Sequence, residues 1–521
     1  MGIPSYFSYI IRNYPKIVKS LQTMSAPKSP QELGGDKIND EILNHLFLDS
    51  NSIIYDSVYK FTDSIPTDDD IIESVLSKIH DYITNVAPKK TVFIAFDGVA
   101  PFAKMKQQRK RRYKTQFVSN IFSTTQKKWD TLKITPGTEF MKELSRRVTE
   151  YFVGSEQKYS IENVIVSTSN EPGEGEHKIF KYIRENNFIN DNVIIYGLDS
   201  DLFMLSIFNH KYYKNAYIFR EAPEFLKSKI NLYISNESGK KTDMKEDETF
   251  LVDIGLLSKY ILVEMGFTDP NRIYDYVFLC FFLGNDFLPQ FPAFNIRTHG
   301  IRVFMDVYNK LFSKKMESFL LKYEISNNRF EICWKNVQLL ISNMSKLEHQ
   351  YLLEEYSLRE KFDKWIWHEP KTEEEREKMF QNYPIINRAG ERYICPSEGG
   401  WEERYNELLL EGSDKEEISK NYLEGLEWCM LYYTEECPDW RWSYMYKYGP
   451  LFVDLMRWTK PTLRSPDMLK IDTPFLYNGE KTSDKDKPMS QEEQLEYVIP
   501  KNDTKKKEFV WHFKRYLWES E

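Results

Sequence analysis

The sequence predicts an α/β fold, with a central, mostly parallel sheet flanked by helices and then a helical region rich in aromatic residues. Three observations carry this. Residues 40–220 alternate short apolar runs with amphipathic stretches, the pattern of βαβ units. Three of the apolar runs end in an acid, as strands do when their carboxyl ends build a site. Residues 391–460 are dense in Trp and Tyr.

In chain order, the first strand is 46–48, in LFLDSN, and it runs into Asp49. The segment 72–86 places Ile72, Val75, Leu76, Ile79 and Ile83 on one helical face. The second strand, 92–96, leads to Asp97 and a Gly-Val-Ala-Pro turn. After the turn come seven Lys or Arg in the eleven residues 104–114. If 103–115 is helical, Lys104, Gln108, Arg111 and Arg112 share one face, and Lys106, Arg109 and Lys110 read as solvated surface. A third strand, 164–167, precedes NEPGEGEHK, which carries Glu174 and Glu176 ahead of a helix. The strand 193–196 leads into GLDSD, with Asp199 and Asp201, and 216–219 is the fifth strand. In LGNDFLP, Asp286 follows an apolar helical run. Charged, loop-like breaks fall at 236–248 and 369–378, the second read as a junction between larger units, and 479–488 reads as a solvated loop.

The bulk numbers bound the function. A chain of 521 residues with 41% hydrophobic and 29% charged residues is globular and too long for one ordinary domain. Its net charge of −8 argues against a protein that coats duplex nucleic acid and favours a local charged pocket or groove. The five cysteines (Cys280, Cys333, Cys395, Cys429, Cys437) form no CxxC pair, so free thiols and no zinc motif are expected. No signal peptide and no apolar run of eighteen residues is present. A soluble intracellular protein without a membrane partner is expected, placed in the cytoplasm with the nucleus left open.

Asp49, Asp97, Glu174, Glu176, Asp199, Asp201 and Asp286 would repel one another at one sheet edge unless cations were bound. Carboxylates are the natural ligands of Mg²⁺ or Mn²⁺. Two such ions roughly 4 Å apart would activate a water and stabilise the leaving oxygen of a phosphodiester. A lone Asp after a strand is more often a helix cap or turn former, so the weight lies on the joint occurrence. Two Arg, one Lys and an amide on one helical face make a donor-rich pocket for a terminal phosphate. A solvated charged helix and a localisation signal are the plain alternatives for that run.

These residues carry a resemblance to the Xrn-type 5′→3′ exoribonucleases. It runs through MGIPSYF, FLDSNSIIY, FDGVAPFAKMKQQRKRR, ITPGTEFM, NEPGEGEHKIFKYIR, YGLDSDLFML and FLCFFLGNDFLP. It resumes in YLEGLEWCMLYYTEECPDWRWSYMYKYGP and MSQEEQLEYVIP. The resemblance implies a flap-nuclease-like (PIN-type) sheet and a magnesium-dependent exonuclease. The substrate it implies is single-stranded RNA with a 5′-monophosphate, degraded processively to mononucleotides in RNA decay. It implies that the seven acids bind the metals and that Lys104, Gln108, Arg111 and Arg112 bind the 5′-phosphate, with a cap excluded sterically. The N-terminal segment is expected to pack near the site. Tyr55 stands where the family has a stacking His, and Trp440 or Trp442 would be the opposite stacking wall. Three parts are expected: a nuclease region at 1–355, a charged linker at 356–390 and a second conserved region at 391–521 that completes the pocket. The chain looks like a compact, catalytic-core member, and the tail after Pro500 departs from the family pattern and is a candidate partner contact. The rival readings are a flap-type structure-specific nuclease and an inactive RNA-binding scaffold. The second-region block argues against the first, and the intact acid set argues against the second.

Overall fold

The computed structural model describes residues 2–3, 5–21, 43–61, 64–121, 129–223, 226–230, 233, 249–315, 317–324, 329–361, 369–372, 375–376, 379, 388–458, 475–477, 480–482 and 487–500. The expected loop at 236–248, most of the expected linker and the tail after Pro500 lie outside the described residues. Among the described residues no helix is long and apolar enough to cross a membrane.

A seven-stranded sheet is the frame, in the order β1-β7-β6-β5-β2-β3-β4. Its parallel body is β4 (Asn163–Ser167), β3 (Thr91–Ala95), β2 (His45–Asp49), β5 (Phe188–Tyr196) and β6 (Tyr213–Glu221). These are the five strands read from the sequence: the one expected at 92–96 lies one residue earlier, and the other four are longer than expected. They are legible because strands covered on both faces need nearly continuous apolar runs. Successive residues serve opposite cores: Phe47, Phe93, Ile195 and Ile218 face one, and Leu46, Leu48, Ile94 and Phe219 the other.

Two strands of this sheet were not foreseen. β1 (Val18–Ser20) and β7 (Thr249–Asp253) pair antiparallel at one edge, with Val18 opposite Val252. β1 is only three residues long, and β7 follows directly on the charged break, so neither shows a strand period. The expected loop at 479–488 is also corrected in part. Residues Phe475–Tyr477 and Glu480–Thr482 form a small antiparallel ladder, with Phe475 opposite Thr482.

The helices that position the site are α1 (Tyr6–Asn13), α2 (Asn51–Tyr59), α3 (Asp68–Val86), α4 (Phe102–Ile121), α5 (Glu139–Phe152), α6 (Gly175–Asn186) and α7 (Asp201–Phe208). α3 buries all five residues of its expected face. It starts on a capping box in which Thr67 Oγ1 accepts from the Asp70 amide at 3.2 Å, with three Asp in its first turn. Further along run α8 (Ile254–Met265), α9 (Arg272–Phe281), α10 (Gly300–Phe312) and α11 (Trp334–Glu360). Beyond them come α12 (Trp401–Leu409), α13 (Lys415–Thr434), α14 (Phe452–Trp458) and α15 (Gln491–Val498). α11 crosses the boundary expected at residue 355.

Among the described residues, the helical second region shares its core with the nuclease region. Phe281, Phe282 and Phe291 belong to one apolar cluster with Tyr422, Trp428 and Phe452. α9 is buried on every side, as a helix between two layers must be. The chain enters the parallel sheet at β2, builds outward to β4, and returns past β2 to β5. The order therefore reverses between β2 and β5. The carboxyl edge at such a reversal is the usual place for a ligand in this class of sheet.

Candidate metal centre and phosphate pocket

Asp49 closes β2, and Asp199 and Asp201 follow β5, so the reversal point is lined with carboxylates. The other acids are brought in by identifiable contacts. Asp97 lies two residues beyond β3. Its Oδ1 accepts the Gly175 amide at 2.7 Å, and its Oδ2 accepts Asn51 Nδ2 at 2.6 Å. The first of these bonds sets the amino end of α6 against an anion. Glu174 stands at that N-cap, and Glu176 lies in the first turn. Lys178, one turn on, ties the base of the site together, since its Nζ donates to the carbonyls of Phe96 at 2.8 Å and Thr168 at 2.7 Å. Asp286 is presented by an Asx turn, in which Asn285 Oδ1 accepts from the amides of Phe287 and Leu288 at 2.9 and 2.8 Å. The segment ahead of α1 closes over the edge as expected. Gly2 has φ +52°, and a Cβ there would stand 2.0 Å from Asp201 Oδ1.

The acids act on one another. Burial, then Asp97 and Asp199, push the Asp49 carboxyl well above its ordinary range. Burial, then Asp201, does the same to Glu176. Asp201 is pushed up to about 7 by burial and then by Asp286. Asp286 itself is held below the usual range, against its burial, chiefly by Lys104. Asp199 is also held down against burial by cationic groups that include Lys104. Three buried oxygens, Asp49 Oδ1, Glu176 Oε2 and Asp201 Oδ1, have no hydrogen-bond donor. A buried carboxylate oxygen without a donor is costly, and an all-oxygen donor set suits a hard divalent cation. Glu174, Glu176 and His177 also offer ligand atoms within 4.8 Å of one another.

The basic helix α4 divides its labour differently from the sequence expectation. Lys104 points into the acids, with Nζ 2.5 Å from Glu174 Oε2 and 2.7 Å from Asp286 Oδ2. Burial would lower that ammonium, but Asp286 and Glu174 hold it well above the ordinary lysine range. Gln107, which was not foreseen, donates to Asp286 Oδ1. One turn on, Gln108 Oε1 and Arg112 Nη1 are buried without a partner, and Arg112 Nη2 reaches the Ile134 carbonyl at 3.3 Å. Arg111 is exposed. Tyr55 is exposed, and the positive charges of Arg112 and Arg111 oppose the rise that desolvation imposes on its hydroxyl. Lys106 and Arg109 are not solvated surface, because they hold the second region. Lys106 Nζ donates to Tyr444 O at 2.9 Å and Ser443 Oγ at 3.2 Å. Arg109 donates to Tyr497 O at 2.5 Å and stacks between the rings of Tyr113 and Tyr497. Lys110 is exposed.

The two tryptophans separate cleanly. The Trp440 carbonyl accepts from the Phe102 amide at 3.0 Å, which sets Trp440 half-buried at the amino end of α4. Trp442 is 3% exposed and stacks on Trp428 at 5.2 Å, as a core residue. Sequence reasoning missed Asn51, Gln107, His177, Lys178, Tyr432 and Tyr433. Asn51 and His177 sit inside quoted acid blocks and were reachable on that ground. The tyrosines sit in an apolar helix and carry no such mark.

Two family models match the chain. That of the XRN 5′-3′ exonuclease N-terminus covers residues 1–222, and that of the Xrn1 helical domain covers 267–396 and 394–464. The chain is 25% identical to 5′-3′ exoribonuclease 2 of Candida albicans over 87% of its length and 63% of that protein's. It is 27% identical to 5′-3′ exoribonuclease 2 of Arabidopsis thaliana, covering 87% of this chain and 58% of the relative. It is 24% identical to 5′-3′ exoribonuclease 1 of Saccharomyces cerevisiae, covering 91% and 38%. The chain thus spans less than two thirds of the length of each of these relatives.

Proposed function

The chain belongs to the Xrn family of 5′-3′ exonucleases, and on that premise we propose that it is a 5′→3′ exoribonuclease. Its substrate is single-stranded RNA with a 5′-monophosphate, which it degrades processively to mononucleotides. One observation carries the reading. A single helix, α4, reaches the acid cluster through Lys104 and, two turns later, holds Arg112, whose buried Nη1 has no partner. An acid-lined reaction centre and a donor pocket for a terminal phosphate are thereby set a fixed distance apart.

Asp49, Asp97, Glu174, Glu176, Asp199, Asp201 and Asp286 would hold two Mg²⁺ or Mn²⁺ ions, and the unsatisfied oxygens of Asp49, Glu176 and Asp201 fit that role. Such ions supply a water nucleophile at neutral pH and charge stabilisation on the scissile phosphate. The chain's own groups do the rest. Arg111, Arg112 and Gln108 receive the 5′-phosphate. Lys104 stands between phosphate pocket and acids and offsets their negative charge as the RNA backbone approaches. Tyr55 and Trp440 stack on the first base, which fixes the register of the cut. Once the nucleotide leaves, the new 5′-phosphate refills the pocket.

The test is RNA labelled internally and ended by hydroxyl, monophosphate, triphosphate or cap, offered with Mg²⁺ or with EDTA, beside a DNA flap. Only the monophosphate RNA should decay, and only with metal. Equal decay of hydroxyl and monophosphate ends would refute the pocket, and cleavage of the flap alone would favour the structure-specific rival. Arg112→Ala should remove the preference for a phosphate end and slow decay of monophosphate RNA about tenfold or more, the worth of a charge-assisted hydrogen bond. Trp440→Ala should raise KM for RNA about tenfold through lost stacking. Trp442→Ala should lower the melting temperature instead, and a reversed pattern between the two would overturn the assignment.

A further inference from the structure

The second region contributes none of the seven acids, yet the last turn of α13 lies against them. The Tyr432 hydroxyl donates to Glu174 Oε1 at 2.9 Å. Lys104 holds the other oxygen of the same carboxylate, so Glu174 is gripped at both ends. The Tyr432 ring is fixed in turn. It lies nearly flat on the His177 imidazole, with centroids 3.6 Å apart and planes 22° apart. Trp428 packs on it at 4.8 Å and Phe287 meets it edge-on at 5.5 Å. Tyr433 meets the edge of His177 at 6.0 Å. Both tyrosines are buried. His177 therefore sits between the two rings, next in sequence to Glu176.

We propose that Tyr432, held by His177, is a positioning residue that orients Glu174 toward divalent cations. The helical second region then sets metal affinity without supplying a ligand. The inference rests on the metal reading of the site given above. A carboxylate whose one oxygen is held by a buried hydroxyl cannot turn its other oxygen away. Loss of an outer partner of this kind typically weakens metal binding about 10–100-fold.

The experiment counts free Mn²⁺ by electron paramagnetic resonance, with no RNA present, against wild type, Tyr432→Phe and Tyr405→Phe. Tyr405 is the control for a lost buried hydroxyl, since it is fully buried and donates to Gly449 O at 2.9 Å. Tyr432→Phe should bind Mn²⁺ about tenfold more weakly, while its melting temperature in EDTA matches that of Tyr405→Phe. Excess Mn²⁺ should return its kcat toward wild type. His177→Ala should weaken binding likewise, and His177→Phe, which keeps a ring on Tyr432, should restore it. Wild-type affinity in Tyr432→Phe would overturn the inference, as would equal weakening in Tyr405→Phe. His177→Phe behaving as His177→Ala would overturn the part assigned to the stacked ring. If wild type binds no Mn²⁺, the metal reading itself falls and the role of Tyr432 falls with it.

Discussion

Asp201→Asn should lower single-turnover degradation of monophosphate RNA about a thousandfold or more while leaving RNA binding largely intact. That loss corresponds to about 4 kcal/mol of transition-state stabilisation. The argument starts from shape. Asp201 is 1% exposed and has no donor at Oδ1. Asparagine keeps the volume, so the pocket has no reason to collapse. What it removes is charge, and it places either a neutral oxygen or an N–H where a cation is expected. Burial and the neighbouring Asp286 already push this carboxyl up to about 7. Such mutual repulsion persists in a fold only where something of opposite charge relieves it. RNA binding should survive because the acids repel phosphate and the basic helix attracts it, so neutralising an acid subtracts nothing from the attraction. Fluorescence anisotropy in EDTA reads the binding and a quenched-flow time course reads the chemistry. Turnover within tenfold of wild type at any Mg²⁺ concentration would contradict the assignment of Asp201 to the metal centre.

Much of the frame was legible because its signals are local. Strands buried on both faces must be apolar runs, and five of them stood out. Acids at strand ends are local too, so the clusters at Asp49, Asp97, Glu174, Asp199 and Asp286 could be marked before any geometry was known. Periodicity assigns faces, and that is where it stopped. Lys104 and Arg112 do share a face of α4, but the first turn of that face abuts Glu174 and Asp286 while the third does not. The pattern cannot say which neighbour arrives at which turn. The same limit hid the work of Lys106 and Arg109, whose partners Tyr444 and Tyr497 come from more than three hundred residues away. Trp440 and Trp442 are two residues apart, and only the position of Trp428 decides which of them is core. Tyr432 and Tyr433 read as apolar helix because a tyrosine's function lies in one atom.

Gly98→Ala should be the most damaging small substitution in the nuclease region, because the glycine joins the two halves of the acid cluster. The turn after Asp97 and the loop before Glu174 are laced together by two backbone bonds. The Gly98 amide donates to the Gly173 carbonyl at 2.9 Å, and the Gly173 amide returns one to the Val99 carbonyl at 2.8 Å. A Cβ at residue 98 would stand 1.7 Å from the Glu171 carbonyl oxygen and 2.7 Å from its carbon. Both are backbone atoms, so no rotamer change relieves the overlap, and the two segments must part. Overpacking alone costs about 1–3 kcal/mol, and two lost backbone bonds with their groups left unsatisfied add about 1–3 kcal/mol each. The separation also pulls Asp97 away from the Gly175 amide, the contact that ties the third strand's acid to the helix bearing Glu176. Gly399→Ala is the comparison, since a Cβ there meets nothing within 4 Å. Calorimetry should show a fall in melting temperature of many degrees for Gly98→Ala and almost none for Gly399→Ala. Stabilisation by added Mn²⁺ should vanish in Gly98→Ala along with RNA decay. If Gly98→Ala melts like wild type and still gains stability from Mn²⁺, the turn and the loop do not act as one unit.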